Sequence, residues 1–209
     1  MLSPRSTVEM PVPGEQVALD RPWLRLVDGQ VQRFVRKAIE DRAVRTVALF
    51  GHEPTLASVS EQLEAELDYL GQLGVQTPSA QYSLELIPKF FGIRSDEYRT
   101  EQGLKITTPY IEGDNLDQLI TQERLPEMPN IERAVYDLSE ALGEYVLARE
   151  TDGLPFLADI FEPNQYRISN GECLLLDIEP FFASPTPSNC ESRAAFARSL
   201  GDYVFRNTS

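Results

Sequence analysis

Between Pro155 and Pro180 the chain reads PFLADIFEPNQYRISNGECLLLDIEP, which sets Asp159 five positions before Asn164 and eighteen before Asp177. Phosphoryl transfer from a nucleotide asks a protein for few groups. It needs a carboxylate that orients the attacking hydroxyl, an amide and a second carboxylate that hold Mg²⁺, and a cation on the phosphates. Those groups must converge from separate elements. Asn170-Gly171 supplies the return, because Asn-Gly accepts the positive φ of a tight hairpin. YRI and CLLLDI are therefore expected to pair, so that Asp177, at the end of an apolar strand, faces the loop carrying Asp159 and Asn164. The spacing is compatible with a shared metal. Taken singly, each residue also reads as a turn or strand-end polar group.

The composition leaves room for such a site. A chain of 209 residues, 42% hydrophobic, can build one sizeable core or two small lobes. Its formal charge of −14 repels a phosphate backbone, so direct nucleic-acid binding is not expected. One basic concentration stands out, Arg33, Arg36, Lys37, Arg42 and Arg45; it reads either as a solvated strand face or as a holder of a small anion. Two cysteines and one histidine, His52, are too few for a disulfide framework or a zinc site. Cys173 is expected in an apolar strand and Cys190 as an exposed loop thiol. There is no run of 18 apolar residues and no signal-like apolar core in the first twenty positions, so a membrane span is not expected and a cytoplasmic location is.

The positioning elements follow from periodicity. Residues 1–20 read as an irregular arm. RPWLRLV and QVQRFVRKAI flank Asp28-Gly29 and read as two antiparallel strands over 23–39; RAVRTVALF is a third strand or a short helix. Leu56, Val59, Leu63, Leu67, Leu70 and Leu73 recur at three and four residues, an amphipathic helix that stops at Gly74. LELIPKFFGI and GLKITTPYI read as strands, the first irregular or at an edge because of Pro88. Asp114 or Asn115 caps the next helix, and Ile131, Val135, Leu138, Leu142 and Val146 mark a longer one. A last helix starts near Glu191.

On these residues the chain resembles the protein-kinase-like fold, from about residue 23 to 180. LADIFEPN is similar to the catalytic loop of that family, and LLLDIEP to its metal-binding aspartate segment. KITTPYIEGDNLDQLI is similar to the strand, hinge and helix joining the two lobes in aminoglycoside phosphotransferases and small bacterial kinases of the lipopolysaccharide-kinase type. EAELDYLGQLG is similar to the helix that carries an ion-pairing glutamate. The resemblance implies that Asp159 is the catalytic aspartate, that Asn164 and Asp177 are metal ligands, and that Glu66 is the helix glutamate. It makes Lys37 the best match to the phosphate-contacting lysine, with Arg45 as the fallback. The hinge of Thr108 to Glu112, with Tyr110 and Glu112, would meet an adenine edge.

The sequence also departs from the family. Leu157 stands where a histidine or tyrosine is usual, Glu179 where a glycine is usual, and no glycine-rich loop precedes the lysine. Only 32 residues follow Asp177. The expected fold is α+β, a protein-kinase-like bilobal fold. An arm over 1–20 precedes a small antiparallel β lobe with one helix over 21–111 and a short, truncated helical lobe over 112–209. The implied function is binding of ATP and Mg²⁺ in an interlobe cleft, with phosphate transfer to a hydroxyl acceptor. The alternative is a catalytically impaired pseudokinase acting as a scaffold or regulator for a protein partner.

Overall fold

The computed structural model describes residues 16–18, 24–35, 37–88, 100–125, 129–176 and 178–206. Among these the chain is a mixed α+β protein with antiparallel sheets and five α-helices. It divides into two compact units, one of Met1–Arg36 with Ser79–Tyr110, the other of Lys37–Pro78 with Ile111–Ser209. The helical segment expected inside a 21–111 lobe thus groups with the second unit.

The first unit is one five-stranded sheet in the order β1-β2-β3-β5-β4, with β1 Gln16–Ala18, β2 Leu24–Val27, β3 Gln30–Phe34, β4 Gln81–Pro88 and β5 Thr100–Pro109. Asp28 and Gly29 both take positive φ, 49° and 73°, the turn whose twist matches that of the strands it joins. Leu26, Phe34, Leu104 and Ile106 are buried. Lys105 lies on the opposite face from Leu104 and Ile106 and forms an ion pair with Glu85, which also accepts from the Ser83 hydroxyl at 2.9 Å. Pro88 is the last residue of β4, an edge strand, where its missing N–H costs no ladder bond. β1 falls within the expected irregular arm; it forms by pairing Gln16–Ala18 with Arg25–Val27 of β2.

The strand expected through residue 39 ends at Phe34. Lys37–Val47 is a helix, α1, because Glu40, Ala43 and Val47, at helical spacing, are the buried positions. A 3₁₀ turn, Ala48–Phe50, closes it at Gly51. Helix α2, Leu56–Gln72, is capped by Thr55, whose hydroxyl accepts from the Ser58 N–H at 3.1 Å. It ends where the Val75 N–H reaches the Leu70 carbonyl and that of Gly74, at φ 96°, the Gly71 carbonyl.

The rest of the second unit starts with β6 Asp114–Asn115, α3 Leu116–Thr121, α4 Pro129–Asp152 and β7 Phe156–Leu157. It continues with β8 Tyr166–Ser169, β9 Glu172–Leu175, β10 Phe182–Ala183 and α5 Pro187–Arg206. Asn115 is the cap of α3, its Oδ1 accepting from the Asp117 N–H at 2.9 Å. Strands β6, β8 and β9 form one sheet and β7 pairs with β10. Val135, Leu142, Tyr145, Phe156, Phe161, Tyr166 and Phe182 lie in the core. Against expectation Cys190 is buried, because α5 begins at Pro187 and takes it into a helical turn.

Gly113 fixes where β6 meets β8. A Cβ there would lie 2.1 Å from the Ile168 carbonyl oxygen, a backbone atom in the β6–β8 ladder. Gly113→Ala is expected to cost about 1–3 kcal/mol through this overpacking. Urea titration of both proteins measures the loss, and an unchanged midpoint would contradict the contact.

Candidate functional site

Asp159 opens a 3₁₀ turn, Asp159–Phe161, directly after β7. Every neighbour is tied down. Leu157 pairs with Phe182, the Ala158 N–H donates to the Phe181 carbonyl at 2.8 Å, and Ile160 and Phe161 are buried. The Phe161 ring meets Phe156 edge to face at 6.0 Å, and the Tyr166 hydroxyl donates to the Ile160 carbonyl at 2.6 Å. Apolar anchors on both sides thus hold one carboxylate half-buried. Its pKa is raised to about 6, first by burial and then by the negative charges of Glu179 and Glu162, against the pull of Arg193 and Arg42. An acid poised near neutrality in a confined turn fits a proton-handling group.

Asn164 sits in the next 3₁₀ turn, Pro163–Gln165, and is exposed. Its backbone carbonyl accepts from Asn115 Nδ2 at 3.0 Å, so the residue capping α3 also braces this turn. The β8–β9 hairpin forms as expected, with Asn170 and Gly171 at φ 51° and 85°. It returns the chain so that the Leu176 N–H donates to the Gln165 carbonyl at 2.9 Å. Asp177 lies outside the described residues. Among those described, no group of three or more His, Cys, Asp or Glu side chains gathers for a metal ion.

Glu66 is completely buried. Its Oε1 accepts from Gln62 Nε2 at 3.0 Å and pairs with Arg149 Nη2 at 2.9 Å; its Oε2 accepts from the Tyr145 hydroxyl. Burial pushes the carboxyl up, and the bonds from Tyr145, Arg149 and Gln62 pull it back only in part. The Tyr145 hydroxyl, kept protonated by burial and by the Glu66 charge, also accepts from the Leu157 N–H at 2.9 Å. Glu66 is thereby linked through one phenol to the strand that leads into Asp159. Arg149 lies over Tyr69 at 4.4 Å and Tyr145 at 5.6 Å. His52 extends the chain outward, its Nε2 donating to Gln62 Oε1 at 3.0 Å.

Lys37 was expected on a strand and as the partner of Glu66. It is instead the first residue of α1, and its side chain lies outside the described residues. The cation that Glu66 is seen to hold is Arg149. Arg45, the fallback, is exposed on α1. Tyr110 belongs to the first unit, where its N–H donates to the Gly29 carbonyl at 2.8 Å. Glu112 is an exposed residue of the second unit, next to Ile111, whose carbonyl accepts from Arg167 Nη1 at 3.0 Å. The second unit thus brings Asp159, Asn164 and Glu66 to one loop and its supports.

Tyr145 and Arg149 were not singled out from the sequence. The signal was present, since both extend the apolar stripe of α4 from Leu142 at spacings of three and four, and an arginine on a buried stripe calls for an anion. Comparison of the chain with protein-family models, curated proteins and solved structures finds no match.

Proposed function

We propose that this is a kinase-like protein that binds ATP with Mg²⁺ and transfers a phosphoryl group to a hydroxyl acceptor. Asp159 orients the acceptor hydroxyl and takes its proton; Asn164 and Asp177 hold the metal. The observation that carries the reading is the Asp159 turn itself, a half-buried carboxyl near neutrality, followed by the Asn164 turn and a hairpin whose returning strand bonds Leu176 to Gln165. Mg²⁺ takes oxygen donors, and the local chemistry fits it. Glu162 and Glu179 press negative charge on Asp159, and the buried Gln165 Oε1, beside Asn164, has no hydrogen-bond partner among the described residues. The metal would neutralise charge on the phosphates, and Glu112 and Lys37 of the second unit are candidates for nucleotide contacts.

The scaffold reading is favoured by one observation, the commitment of Glu66 to Arg149, Tyr145 and Gln62. That carboxylate braces the Asp159 turn, and the cation it holds among the described residues is an arginine. Thermal unfolding with Mg-ATP separates the two readings. At a hundred times its dissociation constant the nucleotide should add about 2.7 kcal/mol to stability, and Asp177→Ala should abolish both this gain and ATP turnover. No gain for the wild type, together with a stoichiometric protein partner on purification, would establish the scaffold instead.

A further inference from the structure

The basic residues Arg33, Arg42 and Arg45 stand apart from the Glu66 ion pair. The structure disperses them: Arg33 lies in β3, while Arg42 and Arg45 lie on α1. Arg42 projects over the Phe181 ring, 3.2 Å from its centroid, and the Phe181 carbonyl is bonded to the residue before Asp159. A second arginine approaches from α5. Arg193 lies over the ring of Phe161, 5.3 Å from its centroid, and Phe161 closes the turn that Asp159 opens. One guanidinium thus lies over a ring beside each end of the Asp159 turn.

We infer that Arg42 and Arg193 form a two-sided clasp for a phosphate-type oxyanion next to Asp159. This rests on the proposed phosphoryl transfer and deepens it. It places the cations that the reaction needs on α1 and α5, as an alternative to a lysine paired with Glu66. Among the described residues neither arginine forms an ion pair. A guanidinium held over a ring face bonds nothing there through its N–H groups, which stay available for bidentate bonding of an oxyanion. Contact with a ring also restricts the side chain beforehand, which lowers the entropy lost on binding. Both charges act on the Asp159 carboxylate, against the larger opposing influence of Glu179 and Glu162, so both stand within electrostatic reach of where a phosphoryl group, its charge shared with the proposed Mg²⁺, would meet the acceptor.

The oxyanion has two possible sources, the terminal phosphate of a nucleotide and a phosphate carried by the acceptor. Calorimetric titrations with Mg-ATP, inorganic phosphate and glucose 6-phosphate distinguish them, using wild type, Arg42→Gln, Arg193→Gln and, as control, Arg133→Gln at an exposed position of α4. Each clasp variant is expected to weaken the relevant anion about tenfold to a hundredfold, the usual effect of losing a charged hydrogen bond, and Arg133→Gln to leave it unchanged. Loss of Mg-ATP affinity assigns the nucleotide phosphate; loss confined to glucose 6-phosphate assigns the acceptor. A wild type that binds phosphate but not Mg-ATP, with the same arginine dependence, keeps the clasp and removes the kinase reading. Equal affinities in wild type and clasp variants, or no anion binding by the wild type, overturn the clasp. A measurement needing no variant follows the Arg42 and Arg193 side-chain N–H signals by NMR during phosphate addition. Saturable shifts support the clasp, and their absence rejects it.

Discussion

Arg149→Ala is expected to destabilise the protein by about 3–5 kcal/mol, the cost of leaving one partner of a buried ion pair without the other. Glu66 is fully buried, and the Arg149 side chain is only 12% exposed. Alanine removes the counter-charge and the plate that covers Tyr69 and Tyr145. The pH dependence separates these two losses. The Glu66 carboxyl already titrates above its ordinary value in the folded protein, so over that interval the native state holds more protons than the unfolded one, and stability falls as pH rises. Without Arg149 the carboxyl moves further up. The penalty of the variant should be largest at neutral pH and shrink on acidification, as protonation of Glu66 removes the buried charge. Urea denaturation across pH measures it. A penalty constant with pH would mean that only packing was lost. Replacing both members, Glu66→Leu with Arg149→Met, should recover most of the stability, because a well-packed apolar pair avoids the desolvation that the ions incur.

What could be read from the sequence was what local chemistry determines. The α2 stripe of Val59, Leu63, Leu67 and Leu70 is buried as its period requires, and the two hairpins turn at Asp28-Gly29 and Asn170-Gly171 because few other dipeptides accept those angles. The α1 segment was ambiguous for a physical reason. KAIEDRAVRTV is short, and its Ala and Val suit a strand or a helix; packing of Ala43 and Val47 in the second unit decides between them. Strand β1 exists only as an addition to the edge of β2, which no three-residue pattern announces.

At the site the same division holds. Asp159 and Asn164 occupy successive turns because their spacing is local. Burial separates Glu66, on the covered stripe of α2, from Glu61 and Glu64, which are exposed. The partner of Glu66 was not readable, because an ion pair between α2 and α4 depends on how two distant segments pack. The arginines beside Asp159 come from α1 and α5 for the same reason. Sequence spacing locates a loop, and tertiary packing decides which cations surround it.

Asp159→Asn should act in opposite directions on stability and on turnover. The Asp159 carboxyl is raised to about 6 from an ordinary value of 3.8, so between those values the folded protein binds more protons than the unfolded chain. Stability therefore falls as pH rises from about 4 to about 6, and the full cost of the charge remains at higher pH. Asparagine has nearly the same shape and no charge to desolvate. At pH 8 the variant should be more stable than wild type by about 1–2 kcal/mol, allowing for the screening that water gives a half-exposed group; near pH 4 the difference should vanish. Under the proposed phosphoryl transfer, turnover should drop about 10²–10⁴-fold, the usual effect of losing a positioned proton acceptor, while Mg-ATP binding, proposed to rest on Asn164 and Asp177, should persist. Thermal melts at pH 4 and 8 with parallel ATP turnover assays read both effects. Full turnover in Asp159→Asn would remove Asp159 from the reaction. A loss of stability at pH 8 would mean that Glu179 and Glu162 do not oppose its charge, and that Arg42 and Arg193 compensate it in full.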